Sequence, residues 1–157
     1  MNTTPLHILL ADDDEDDRLI FKEVINEVRV KTKLTVVNDG VQLMEYLQET
    51  EDDLPHIVFL DLNMPKKTGL DCLVEIRAKR HFSRMPIVIF SSARESRFMD
   101  SSYGYGANLY YSKPASFNEL IAGLSKLLRM DWDDPLTITS DHFVGNKFVA
   151  YNAATFN

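Results

Sequence analysis

The fold is decided by residues 57–65, Ile57-Val58-Phe59-Leu60-Asp61-Leu62-Asn63-Met64-Pro65. An apolar run that stops at a carboxylate carries that carboxylate to the carboxyl edge of a buried strand. Open α/β sheets place their ligand crevices at this edge. Three other segments have the same form. His7-Ile8-Leu9-Leu10-Ala11 ends at Asp12-Asp13, and Pro86-Ile87-Val88-Ile89-Phe90 ends at Ser91. Asn108-Leu109-Tyr110-Tyr111-Ser112 ends at Lys113-Pro114. Three carboxylates, a hydroxyl and an ammonium group, all at strand ends, point to one charged pocket.

Helical patterns separate these strands. The first runs over residues 15–30, with Leu19, Ile20, Val24 and Ile25 at helical spacing and Asp14 as cap. A second strand, Leu34-Thr35-Val36-Val37, stops at the turn signal Asn38-Asp39-Gly40. The next helix carries Val41, Leu43, Met44 and Leu47, and acidic residues 49–53 lead through Pro55 to the strand at Ile57. After a loop at 65–68, Gly69 precedes or opens a helix with Leu70, Leu73, Val74 and Ile76 inward. A weak helix is expected over 94–103, since Ser101-Ser102-Tyr103-Gly104 has poor propensity. The last helix starts at the N-cap Ser116 and runs to about Arg129. Five βα units predict an α/β fold, a doubly wound parallel sheet with helices on both faces. Periodicity leaves the strand order open.

The chain has 157 residues, 45% of them hydrophobic, enough for the core of one domain with a short appendage. A net charge of -7 and no basic cluster argue against sequence-specific nucleic-acid binding. The single cysteine, Cys72, excludes an internal disulfide and suits a reducing cytoplasm. Its position on the third helix reads as a buried structural thiol. No apolar stretch approaches the roughly 20 residues a membrane span needs. Without a basic n-region at the start, a cytoplasmic location is expected. His7, His56, His81 and His142 lack metal-ligand spacing.

Neighbouring carboxylates at Asp12, Asp13 and Asp61 would raise one another's pKa unless a cation intervened. Mg²⁺ suits such a site, because it takes oxygen ligands, keeps waters and joins carboxylates to phosphate. Asp61 could then act as an oxygen nucleophile on a phosphoryl group. Of the three phosphoryl oxygens, the metal would neutralise one, Lys113 another, and Ser91 would donate a hydrogen bond to the third.

These pieces, in this order and spacing, resemble the receiver domain of two-component response regulators over about residues 6–130. The resemblance implies a flavodoxin-like (βα)5 fold with strand order 2-1-3-4-5. It makes Asp61 the phosphoacceptor, with Asp13 a direct metal ligand and Asp12 acting through a metal-bound water. Asn63 would ligate through its backbone carbonyl. Lys113 would pair with the phosphoryl group, across a cis peptide bond to Pro114. Ser91 and Tyr110 would form the switch, Tyr110 turning inward and altering the face of the fourth helix, fifth strand and fifth helix. The donor would be a sensor histidine kinase or a histidine phosphotransfer protein, and the altered face would serve a protein partner or a homodimer. The protein would catalyse only its own phosphorylation and dephosphorylation. Residues 1–5 are expected to be a flexible N-terminus, and 131–157 a C-terminal extension without an independent output domain. The chain also resembles stand-alone receivers, in particular the small regulators associated with phytochromes.

Two rival functions compete with this one. A haloacid dehalogenase-like phosphatase would show Asp-x-Asp, whereas Asp61-Leu62-Asn63 lacks the second acid. A phosphate-independent scaffold would bind through aromatics of the fourth helix and tail. For Asp14-Glu15-Asp16-Asp17 a solvated helix start competes with a wider metal-attracting field. For Trp132, Phe143, Phe148, Tyr151 and Phe156 an extension lying on the domain competes with a partner contact.

Overall fold

A computed structural model describes residues 4–153. Residues 1–3 of the expected flexible N-terminus, and Phe156, lie outside the described residues. The strands are β1 (Leu6–Ala11), β2 (Thr32–Val37), β3 (Ile57–Leu60), β4 (Ile87–Ser91) and β5 (Leu109–Ser112). All pair in parallel, in the order β2-β1-β3-β4-β5. Between and after them come α1 (Glu15–Glu27), α2 (Gly40–Glu49), α3 (Gly69–Ala78), α4 (Ser96–Gly104) and α5 (Phe117–Leu127). This is the expected flavodoxin-like sheet. Its strand order reverses at β1 and β3, which opens a crevice at their carboxyl ends.

The sheet separates two apolar layers. Phe21 and Val24 of α1 and Leu120 and Leu124 of α5 pack on Ile8, Leu10, Phe59 and Phe90. Leu43 and Leu47 of α2, Leu73 and Ile76 of α3 and Tyr103 of α4 pack on Leu9, Val58, Leu60 and Ile89. Side-chain caps fix where helices begin: Asp14 for α1, Asp39 for α2, Thr68 with Asp71 as a capping box for α3, and Ser116 for α5.

Several helical phases differ from expectation. The inner stripe of α1 is Phe21, Val24 and Ile25, so Leu19 and Ile20 face solvent. Val41 of α2 and Val74 of α3 are likewise exposed, since the buried residues on either side set the phase. α1 stops at Glu27 because Val28 is already extended, and β2 begins two residues early, at Thr32. α4 forms despite its serines: Ser102 is buried and its hydroxyl donates to the Phe98 carbonyl at 2.6 Å. Cys72 is buried, and burial pushes its thiol up to about 11.

The described residues beyond α5, 128–153, lie against the domain. α6 (Pro135–Asp141) is followed by a small hairpin of β6 (Phe143–Val144) and β7 (Lys147–Phe148). Its two turn residues, Gly145 and Asn146, both have positive φ, as a type I′ turn requires. Residues 148–153 then cross from α4 over the free edge of β5 to α5. Phe148 stacks on Tyr103 at 4.6 Å, and the Tyr103 hydroxyl donates to the Val149 carbonyl at 2.8 Å. The Tyr151 amide donates to the Tyr110 carbonyl at 2.7 Å, as an added strand would. Its hydroxyl reaches the Gly123 carbonyl at 2.7 Å, and Lys126 holds the Ala153 carbonyl at 2.6 Å. The α4–β5–α5 face is therefore covered by the chain itself. No helix among the described residues is long and apolar enough to cross a membrane.

Candidate functional site

Strand register assembles the site. Ala11 pairs with Leu60, and the Asp61 amide donates to the Ala11 carbonyl at 3.0 Å. Asp12 and Asp61 are thus brought side by side, each one residue past its strand. Ser91 pairs with Ser112, and the Lys113 amide donates to the Ser91 carbonyl at 2.8 Å, which brings Lys113 to the same end. Gly69 lets the start of α3 lie against this edge. A Cβ there would come within 2.1 Å of the Asp61 carbonyl oxygen.

The side chains converge. Carboxylate oxygens of Asp12, Asp13 and Asp61 lie within 4.8 Å of one another. Asp12 and Asp61 are buried and Asp13 is exposed, so the cluster faces outward through Asp13. The Lys113 ammonium bonds Asp12 Oδ2 and Asp17 Oδ2, both at 2.8 Å, and lies 3.4 Å from Asp61 Oδ2. Asp61 Oδ1 accepts from the Leu62 amide at 2.8 Å, leaving Oδ2 the less engaged oxygen. Asp12 Oδ1 accepts from the Asp14 amide, and the Arg18 guanidinium donates to the Asp12 carbonyl. Asn63 lies exposed two residues beyond Asp61.

Burial raises the Asp61 pKa to about 6, against the pull of Lys113 and with a further push from Asp12. It is still ionised at neutral pH. Burial disfavours the Lys113 charge, but its bonds to Asp12 and Asp17 and the charge of Asp61 outweigh that, and its pKa is raised. The donor set of three hard carboxylate oxygens on one small patch fits a hard divalent cation.

The switch pair lies on the paired strands β4 and β5. Ser91 is buried, and its Oγ accepts from the Ala93 amide at 3.2 Å; it does not cap α4, which begins after Glu95 without a side-chain cap. Tyr110 points inward and is fully buried, and its hydroxyl donates to the Ala93 carbonyl at 2.7 Å. Tyr103 packs with it in one apolar cluster, and Phe148 and Ala150 of the C-terminal segment lie against that cluster. The Lys113–Pro114 bond is trans, as are all peptide bonds among the described residues. The two forms of an X–Pro bond differ by only about 0.5–1 kcal/mol, so local sequence does not decide between them.

A family model described as the response regulator receiver domain matches residues 8–125. The chain belongs to the response regulator receiver family. This receiver is similar to Response regulator Rcp1 of Synechocystis sp., with 29% identity over 120 residues, 74% of this chain and 82% of Rcp1. The crystal structure of the phosphorylated cyanobacterial phytochrome response regulator RcpA has 27% identity and a TM-score of 0.72, covering 79% of this chain and 91% of that one. The Mn(2+)-bound form of Rcp1 has 29% identity and a TM-score of 0.70, covering 78% and 91%. The similarity to phytochrome-associated regulators thus holds in sequence and in fold, and phosphorylation-based two-component signalling is the receiver's function.

Two contributions to the site escape sequence reasoning. Asp17 reaches Lys113, although four successive acids at a helix start give no sign of which one turns inward. Arg94 donates to the Lys113 carbonyl at 3.0 Å and ties the α4 approach to the β5 end.

Proposed function

We propose that Asp61 accepts a phosphoryl group from a histidine kinase or histidine phosphotransfer protein, and that the C-terminal segment reports the change. The observation that carries this reading is the Asp61 carboxylate, clustered with those of Asp12 and Asp13 and with its less engaged oxygen 3.4 Å from the Lys113 ammonium. That oxygen attacks phosphorus while the donor's P–N or P–O bond breaks and the donor leaves with the electron pair. Water later cleaves the acyl phosphate, returning the carboxylate and inorganic phosphate. Lys113 pairs with one phosphoryl oxygen and Ser91 donates to another. Asp13 and Asp61, the Asn63 carbonyl, and Asp12 through a water would hold Mg²⁺. When bound, the ion neutralises charge on the transferred group.

The protein's setting fits this chemistry. It is a cytoplasmic signalling module without metabolic turnover or nucleic-acid binding, consistent with its acidity and with a match spanning most of Rcp1. Residues 131–157 act as an extension and not as an output domain. The phosphatase reading lacks its second acid, since Asn63 stands where Asp would be needed.

Output follows from the covered face. Ser91 turning to a phosphoryl oxygen moves the Oγ to which the Ala93 amide donates, and the Ala93 carbonyl accepts from the Tyr110 hydroxyl. The backbone of Tyr110 accepts from Tyr151 and donates to the Tyr103 hydroxyl. Movement of residues 91–93 therefore reaches residues 148–153, and a partner or second copy meets a surface that includes them. For the chemistry, acetyl phosphate with Mg²⁺ should add one hydroxylamine-labile phosphoryl group by mass spectrometry, absent in Asp61→Asn. No adduct on the wild type, or the same adduct on the variant, refutes it.

A further inference from the structure

We infer that Asp17 is a positioning residue that parks the Lys113 ammonium off the phosphoacceptor in the resting protein. The inference rests on Asp61 being the phosphoacceptor. An ammonium group has three donors, and here the two short bonds go to Asp12 and Asp17 at 2.8 Å, leaving Asp61 the long contact at 3.4 Å. Asp17 is not one of the three carboxylates clustered closely enough to share an ion. Its place is fixed by the helix start: its amide bonds the Asp14 cap at 3.0 Å, and Asp14 in turn bonds Asp12. The first turn of α1 thus holds a fourth carboxylate opposite the β5 end.

The burial of the two short-bond partners separates their roles. The Asp12 side chain is 1% exposed and the Asp17 side chain 38%. A carboxylate released from Lys113 at Asp12 would be stranded without water, whereas Asp17 can be rehydrated at little cost. When a phosphoryl group arrives on Asp61, Asp17 is the partner that gives way. The latch competes with the phosphoryl oxygens for one cation, so it slows phosphorylation and lowers occupancy at a given donor concentration.

Asp17→Asn should raise the initial rate of phosphorylation by acetyl phosphate at saturating Mg²⁺ by about twofold to fivefold, the span matching a half-exposed ion pair. Asp17→Glu, which keeps the carboxylate, should stay near the wild-type rate. Asp16→Asn removes the same charge one residue away on an exposed side chain, and should change the rate by much less. Asp17→Gln repeats the test if the Asn variant does not fold. An unchanged or slower rate in the neutral variants overturns the latch, as does an equal gain in Asp16→Asn, which would mean bulk charge alone. If the wild type takes up no phosphoryl group at all, the reading of Asp61 has failed instead.

Discussion

The crevice at the carboxyl end of the sheet and the flank of β5 are held by opposite means. In the crevice, one ammonium group bonds two carboxylates and lies near a third, and Asp61 is kept ionised against the pull of burial. On the flank, neutral tyrosine hydroxyls and backbone amides bond to one another and to carbonyls. Tyr103 bonds both Val149 and Tyr110, and Tyr151 bonds both Tyr110 and Gly123. The crevice is over-supplied with negative charge, with four carboxylates around one ammonium group. The flank is held by hydrogen bonds between neutral groups. Tyr110 belongs to both regions.

The difference can be broken most severely at Lys113. Lys113→Met leaves Asp12 and Asp61 buried without their cation and should cost about 3 kcal/mol in urea unfolding at neutral pH. Added Mg²⁺ should restore more stability to this variant than it adds to the wild type. A loss below that of any flank variant would reverse the contrast.

Next in size is Asp61 itself. An unfolded carboxyl loses its proton near pH 4, but the folded one only near pH 6. Between these values the folded state binds the extra proton, so this group's contribution to stability falls as pH rises and stays unfavourable above about 6. Asp61→Asn should therefore gain about 2 kcal/mol over the wild type at pH 7, and the gain should vanish as pH falls towards 4. A constant difference across that range would mean that burial does not perturb Asp61.

On the flank, Tyr103→Phe strands the Tyr110 amide and the Val149 carbonyl, and should cost about 1–2 kcal/mol. No ionisation is involved, so the cost should be flat from pH 5 to 8, as thermal melts at several pH values would show.

The two regions also differ in how far the sequence discloses them. Apolar runs ending in Asp12, Asp61, Ser91 and Lys113 were readable because strand ends in a parallel sheet share one edge. Strand order needed the family resemblance, since hydrophobic period carries no neighbour information. Helix phases at Leu19, Ile20, Val41 and Val74 misled because apolar residues also face water, and only packing fixes which do. The flank was nearly silent. Its one local signal, Gly145-Asn146 between short β-prone pairs, marks a hairpin, but nothing local says where a hairpin docks. The packing of Phe148 and Ala150 against the cluster that holds Tyr110 was hidden with it.

The decisive measurement is hydrogen exchange of the Tyr151 amide, bonded to the Tyr110 carbonyl, before and after phosphorylation with acetyl phosphate and Mg²⁺. Linked regions require its exchange to change with phosphoryl occupancy in the wild type and to stay constant in Asp61→Asn. Equal exchange in the fully phosphorylated and unphosphorylated wild-type protein would show that the crevice and the C-terminal segment act independently.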